Sequence, residues 1–166
     1  MYNFPKKNNN KNKERGKYMK VKECMCSQVS CVKPETTLKD VAKIMQENHV
    51  GCIPVCDSKN SVVGLVTDRD LVLRGIVWDK DVKTTPISEI MTTDICSCTQ
   101  EDDVYDVECT MSQNQVRRIP VVENNKVVGI LTLGDLAHWT KEIGKQEVCN
   151  TISNICNNDG QVKNDK

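Results

Sequence analysis

Two stretches of the chain alternate apolar and polar positions in the same order. The first opens with an apolar segment, 21–32, which predicts a short strand that Pro34 ends. A helix follows, capped by Thr36 or Thr37 and ended by Asn48-His49. Its apolar face has the i, i+3, i+4, i+7 spacing of an amphipathic helix: Leu38, Val41, Ala42 and Met45.

Two apolar runs and a second helix complete this unit. The runs 50–56 and 61–66, joined by the polar residues 57–60, predict a hairpin of buried strands. Another helix begins near Thr67. The order is strand-helix-strand-strand-helix, which places the chain in the α/β (α+β) class.

The second stretch is a copy of the first. Eleven residues recur 66 positions later, among them Val50, which recurs as Val116, and from Gly64 and Gly129 onward the spacing is 65. Two copies favour one paired domain over an extended solenoid. The predicted organisation is a disordered basic tail (1–18), repeat 1 (19–75), a linker (76–86), repeat 2 (87–140) and a C-terminal tail with a weak helix (141–166).

Each repeat contains the motif Gly-x-x-Thr-x-x-Asp where a strand ends and a helix begins: Gly64-Leu65-Val66-Thr67-Asp68-Arg69-Asp70 and Gly129-Ile130-Leu131-Thr132-Leu133-Gly134-Asp135. The unpaired N–H groups of such a helix start suit a phosphate. A carboxylate one turn later can accept two hydrogen bonds from a ribose diol. The alternative is that Thr and Asp only cap a helix. The duplication favours a nucleotide-shaped ligand.

The two copies differ at the strand that precedes this motif. Repeat 2 has Arg117-Arg118 where repeat 1 has Gly51-Cys52. The arginines either form solvated surface or clamp a phosphate at the same cleft. Glu108 takes the place of Ala42 on an apolar helix face, which predicts an exposed or interface edge there. In the C-terminal tail, apolar residues on one face predict a helix that packs on a partner subunit: Val148, Ile152 and Ile155.

Composition and charge narrow the class of protein. No apolar run is long enough to cross a membrane and no signal-peptide core is present, so we expect a cytoplasmic protein with its ten cysteines reduced and mostly structural. Residues 1–20 carry six excess positive charges, which leaves an excess of six negative charges on the rest. Nucleic acid is therefore not the expected main ligand. Glu14-Arg15-Gly16 can be encoded by purine-rich codons that resemble a ribosome-binding site, so we also expect that translation normally starts at Met19 and that the native protein lacks the preceding tail.

From these motifs the chain resembles a paired cystathionine-β-synthase (CBS) domain protein, a Bateman module. The residues that carry the resemblance are the two Gly-x-x-Thr-x-x-Asp motifs, the two Ile-Pro-Val strands and the segment 111–122. The resemblance extends from Val21 to Trp139. It implies tandem repeats paired about a pseudo-twofold axis, with two clefts that bind an adenosine-containing ligand: AMP, ADP, ATP or S-adenosylmethionine.

The resemblance also implies roles for individual residues. In cleft A, the resemblance implies that Thr132 binds phosphate and Asp135 binds the ribose hydroxyls. It implies that the phosphate charge is met by Arg117 and Arg118, and that the residues around the adenine are Ser30, Val50 and Ile130. Cleft B is implied to use Thr67, Asp70, Leu65, Val116 and the strand around Cys96. It lacks the arginine pair, so Arg69 or Arg74 would have to replace it, and cleft A is predicted to be the tighter site.

The leading hypothesis is a non-enzymatic regulatory module that needs no cofactor, forms a homodimer and signals to an effector protein in trans. An enzyme is disfavoured because His49 and His138 lie at noncorresponding places without a nucleophile partner. The alternatives are a purely structural dimerisation module and a metal- or redox-responsive protein. The latter would use Cys24-x-Cys26, Cys96-x-Cys98 and Cys52-x3-Cys56. These pairs lack the C-x2-C spacing of structural zinc sites.

Overall fold

A computed structural model describes residues 19–156 of the protein, so the predicted basic tail and residues 157–166 lie outside the described residues. The helices are α1 (Val21–Cys24), α2 (Leu38–Glu47), α3 (Asp68–Asp70), α4 (Val104–Asn114), α5 (Leu133–His138), α6 (Thr140–Ile143) and α7 (Lys145–Cys156). A π-helical segment, Leu71–Ile76, continues α3, and a 3-10 turn occupies Ile87–Glu89. The strands are β1 (Cys52–Cys56), β2 (Val62–Thr67), β3 (Arg118–Glu123) and β4 (Lys126–Thr132).

The contacts divide the described chain into two compact units that do not coincide with the repeats. Unit 1 comprises residues 19–26, 96–121 and 130–156, and unit 2 comprises 27–95 and 122–129. The leading segment of each repeat is therefore shared between the two units. The tip of the β3–β4 hairpin also belongs to unit 2.

Unit 2 is built on the antiparallel β1–β2 hairpin. Ile53 pairs with Val66, and a β-bulge lies between Val55 and Cys56. Val32 bridges β1 in parallel, whereas Thr92, from the leading segment of repeat 2, bridges β2 antiparallel at Leu65. The core of this unit contains Val32, Leu38, Val41, Met45, Ile53, Val55, Val66, Ile87 and Ile90.

Unit 1 has the same arrangement, but here the hairpin belongs to repeat 2 and the added leading segment belongs to repeat 1. Cys98 bridges β3 in parallel at Val121, and Cys26, from the leading segment of repeat 1, bridges β4 antiparallel at Ile130. The buried apolar side chains of unit 1 include Val21, Cys24, Val104, Val107, Met111, Ile119, Val121, Leu131, Leu136, Val148 and Ile155. Because each hairpin pairs with a segment of the other repeat, neither repeat completes its own set of strand contacts.

The prediction of a strand over 21–32 is wrong for residues 21–24, because these residues form the short helix α1. Val21 and Cys24 are buried while Lys22 and Glu23 are exposed, so the apolar period is three rather than two. Glu23 Oε1 accepts a hydrogen bond from Lys20 N at 2.8 Å and closes the turn. Val32 does keep a strand-like bridge.

The hairpin and the helix before it follow the sequence prediction more closely. Thr37 caps α2, since its side chain accepts from Asp40 N at 3.2 Å, and the cap at the other end is Asn48. The buried strand begins at Cys52 instead of Val50, which is 42% exposed. His49 has φ 53°, and Val50 N donates to Met45 O at 3.0 Å, so Val50 belongs to the closing turn of α2.

The C-terminal helix α7 packs within its own chain. It contacts α4 in unit 1 and buries Val148, Thr151 and Ile155, which corrects the predicted packing of this face on a partner subunit. Gly144, with φ 115°, separates α7 from α6. Among residues 19–156, no helix combines the length and apolar character that crossing a bilayer requires.

We expect Gly64→Ala to destabilise unit 2. A Cβ at Gly64 would lie 2.7 Å from Met91 Sδ and 3.0 Å from Thr92 O, so it would push the leading segment of repeat 2 away from β2. The expected loss in free energy of unfolding is about 1–3 kcal/mol, measured by urea denaturation.

Gly134→Ala is the matched control for this substitution. Its Cβ would meet only Thr132 Oγ1, at 3.4 Å, and in a helix Ala is favoured over Gly by up to about 1 kcal/mol. Equal stabilities for the two variants would contradict the close packing of the leading segment against β2.

Candidate functional site

The two motifs form equivalent strand-to-helix corners. We define corner 1 as Thr67 and Asp70, at the junction of β2 and α3 in unit 2, and corner 2 as Thr132 and Asp135, at the junction of β4 and α5 in unit 1. All four residues are partly buried. Each Thr is the N-cap of its helix, as the sequence predicts.

A reciprocal set of hydrogen bonds shapes corner 2. Thr132 Oγ1 accepts from Asp135 N at 3.2 Å and donates its own proton to Asp135 Oδ2 at 2.7 Å. Thr132 N also donates to Asp135 Oδ2, at 2.8 Å. Both hydrogen bonds to the carboxylate use Oδ2, and no group of residues 19–156 donates to Oδ1. The capping alternative is thus realised, but it leaves one carboxylate oxygen available.

Corner 1 has the same capping bonds and one further partner. Thr67 N and Oγ1 donate to Asp70 Oδ2 at 2.9 and 2.7 Å. Arg74 Nη1 lies 3.3 Å from Asp70 Oδ1, so both oxygens of this carboxylate are engaged. The same Nη1 is 3.1 Å from both Ile90 O and Thr92 Oγ1, which fixes the guanidinium against the leading segment of repeat 2.

Sequence reasoning considered Arg74 as a phosphate clamp but missed this ion pair. The spacing of four residues on one helix was a usable signal, because side chains at i and i+4 lie on the same face. Repeat 2 has Trp139 at the equivalent position, in edge-to-face contact with His138 at 5.6 Å between ring centroids. The Asp carboxylate of corner 1 therefore has a neighbouring positive charge, from Arg74, whereas corner 2 has the uncharged Trp139 at the equivalent position.

The arginine pair lies next to corner 2. Arg117 O accepts a hydrogen bond from Leu133 N, the first residue of α5, at 3.1 Å. The Arg117 side chain is exposed and that of Arg118 is partly buried, and neither guanidinium makes an ion pair or hydrogen bond within residues 19–156. In corner 1 the matching acceptor is Gly51 O, which receives Asp68 N at 3.2 Å and brings no cation.

The remaining predicted ligand residues fall in both units. Unit 1 contains Ile130, Val116 and Cys96, whereas unit 2 contains Leu65, Ser30 and Val50. Ser30 and Val50 are exposed, and the other four are partly buried. The structure thus brings together Thr132, Asp135 and the Arg117 backbone. The mixed sets assigned to clefts A and B stay predictions.

Glu108 is the residue for which the structure differs most clearly from the environment predicted from the sequence. It was predicted on an exposed or interface edge, yet it is only 2% exposed. Both carboxylate oxygens are buried and have no hydrogen-bond partner in the part of the chain that the structure describes. Burial, with a smaller contribution from the negative charge of Glu147, raises the pKa of Glu108 to about 7. Its place between Val107 and Met111 on the apolar face of α4 was the signal for burial.

The cysteines are all thiols, but their environments differ. Burial raises the pKa of Cys24, Cys56 and Cys98 to about 12, so these three stay protonated and packed in the units. Four others are exposed: Cys26, Cys31, Cys149 and Cys156. In the part of the chain that the structure describes, no three or more His, Cys, Asp or Glu side chains form a metal-binding group.

Comparison with known proteins identifies the class. The CBS domain family model matches residues 21–75 and 87–142, and the chain therefore belongs to the CBS domain family as a tandem pair. The CBS domain-containing protein YhcV of Bacillus subtilis (strain 168) is 36% identical over 135 residues, which cover 81% of this chain and 94% of YhcV. The fold class and the resemblance predicted from the sequence are confirmed.

Two solved structures bear on ligands. The CBS domain pair of protein MJ0100, solved in complex with 5'-methylthioadenosine and S-adenosyl-L-methionine, is 25% identical, with a TM-score of 0.66 over 72% of this chain and 98% of that chain. Hypoxic Response Protein I, solved with two coordinated zinc ions, is 29% identical, with a TM-score of 0.67 over the same shares, 72% and 98%. CBS pair modules are typically regulatory, and those without a further domain are generally not catalytic.

Proposed function

We propose that this CBS pair is a non-enzymatic regulatory module that binds an adenosine-containing ligand at its Thr–Asp corners and signals to an effector protein in trans. The observation that carries the proposal is corner 2, where capping leaves Asp135 Oδ1 without a donor beside an arginine pair that has no described partner. The ligand of the MJ0100 domain pair supports the adenosine class.

The capping bonds give Asp135 a fixed orientation before any ligand arrives. Because Oδ2 is held by Thr132, the carboxylate loses little conformational freedom when Oδ1 accepts a ribose hydroxyl. Charge-assisted hydrogen bonds of this kind are stronger than neutral ones. Arg117, next to the start of α5, supplies positive charge for a phosphate.

Corner 1 is the weaker site in this proposal. A ribose hydroxyl would have to compete with Arg74 for Asp70 Oδ1, and Gly51 supplies no cation in place of Arg117. The predicted adenine contacts are Ser30, Val50 and Ile130 for cleft A, and Leu65, Val116 and the strand around Cys96 for cleft B. The ligand is AMP, ADP, ATP or S-adenosylmethionine. Because the ligand binds one of two states of the module more tightly than the other, its binding shifts the module toward that state, and the effector protein responds to the shift.

We expect Asp135→Asn to weaken ligand binding more than Asp70→Asn does. Asparagine keeps one acceptor for Thr132 N, but its amide nitrogen cannot accept from a hydroxyl. The expected loss at corner 2 is about 1–3 kcal/mol, or roughly 5- to 150-fold in Kd, measured by calorimetry with AMP, ADP, ATP and S-adenosylmethionine on the full chain.

Asp106→Asn, a change of the same kind at an exposed carboxylate of α4 outside both corners and both predicted clefts, serves as the control. It should bind as the parent does. Unchanged affinity in both corner variants would overturn the site assignment.

We expect Arg117→Gln and Arg118→Gln to lower the affinity for ligands that carry a phosphate and to leave the affinity for a ligand without phosphate unchanged. If a guanidinium contacts phosphate, the substitution weakens ATP, ADP and AMP binding, by about 1.5–3 kcal/mol for each charged hydrogen bond lost. 5'-Methylthioadenosine has no phosphate, so its affinity should stay the same. An equal loss for all four ligands, measured by calorimetry, would show that the arginines position the site without contacting phosphate.

An exposed apolar strip in unit 2 supports the proposed homodimer. Its members are 41–63% exposed: Val72, Leu73, Ile76, Val77 and Trp78. Contiguous apolar surface of this kind marks interaction sites, and a second copy of the module is the partner that the CBS resemblance implies.

We expect Ile76→Glu to shift the protein toward monomer in sedimentation velocity, because it places a charge in the apolar strip. Lys59→Glu, in the exposed turn between β1 and β2, is the control and should sediment as the parent does. A parent protein that is monomeric at all concentrations would contradict the homodimer.

A further inference from the structure

Glu108 is a buried carboxyl group. It is 2% exposed, and within residues 19–156 neither of its oxygens has a hydrogen-bond partner. An ionised carboxylate in such surroundings is costly, whereas a neutral carboxylic acid costs far less. The site therefore favours the protonated form.

The C-terminal helix packs on the helix that carries Glu108. α7 contacts α4, and its residues Val148, Thr151 and Ile155 are buried. The equivalent residue of repeat 1, Ala42 on α2, is exposed. Burial of this position is thus particular to repeat 2.

The groups that face Glu108 do not neutralise a negative charge. The negative charge of Glu147, on α7, opposes ionisation of Glu108, and Glu108 in turn contributes to the raised pKa of the Cys24 thiol on α1. Within residues 19–156, Glu108 makes no ion pair with a lysine, arginine or histidine.

We propose that docking of α7 onto α4 is coupled to proton binding at Glu108, so that the carboxylic acid favours docked α7 and the carboxylate favours its release. Gly144 is placed to serve as the pivot, because it separates α6 from α7 with a backbone conformation that side chains rarely adopt. The proposal does not rest on the proposed ligand, since Glu108, Glu147 and Cys24 lie outside both corners.

The sign of the coupling follows from the two protonation states. With α7 undocked, Glu108 is solvated and titrates near its ordinary pKa of 4.5, whereas in the docked form its pKa is about 7. Between these values the docked form binds the extra proton, so the docked fraction falls as pH rises. About one pH unit above the docked-state pKa both forms are ionised and the dependence ends.

The test is hydrogen exchange of the α7 backbone amides, followed by mass spectrometry at pH 5.5 and pH 8.0 and corrected for intrinsic exchange rates. In the full-length parent, protection of α7 should fall by about 30-fold from the lower to the higher pH. Glu108→Gln, which cannot ionise, should remove that dependence. Glu147→Gln should move the midpoint to lower pH, because it removes the facing negative charge.

Asp106→Asn is the matched control, since Asp106 lies on the same helix but is exposed. It should keep the pH dependence of the parent. Equal α7 protection at both pH values in the parent would overturn the proposal, and so would an unchanged pH dependence in Glu108→Gln. Should that variant fail to fold, an NMR titration of the parent decides, because a Glu108 pKa near 4.5 would contradict the coupling.

Discussion

The reciprocal hydrogen bonds between Thr and Asp at the end of β2 and β4 are the constraint on which the candidate site depends. They satisfy backbone groups at the start of the following helix, and they also fix the rotamer of the Asp carboxylate. A residue that caps a helix with one oxygen can present the other to a ligand at small entropic cost. Capping and ligand binding are therefore compatible functions of the same side chain.

The two copies of the motif diverge through their neighbours. Arg74 engages the second oxygen of Asp70, while its counterpart Trp139 leaves that of Asp135 without a described donor. The strand before corner 2 contributes Arg117 where corner 1 has Gly51. A few substitutions outside the motif thus give two corners with the same capping bonds different electrostatic properties, which is how a duplicated module can acquire one preferred site.

Much of the architecture could be predicted because the duplication doubles every local signal. The cap at Thr37, the hairpin and the two corners depend on short-range patterns that sequence shows directly. The helix α1 was missed because two buried residues three apart occur in too short a segment to distinguish a helix from a strand. The Arg74 ion pair and the burial of Glu108 depend on what packs against those residues, and local periodicity carries no such information.

The position of α7 links these features to regulation. α7 contacts both α4, which holds Glu108, and α5, which begins at corner 2, so one helix touches both the proton site and the element that carries Asp135. A ligand at corner 2 can bias α7 only through a difference in its affinity for the docked and released forms. By reciprocity, any such difference would make ligand affinity depend on pH in the range where Glu108 titrates. If the proposed ligand binds at corner 2, contact through α5 thus provides a physical route by which ligand and proton act on the same helix.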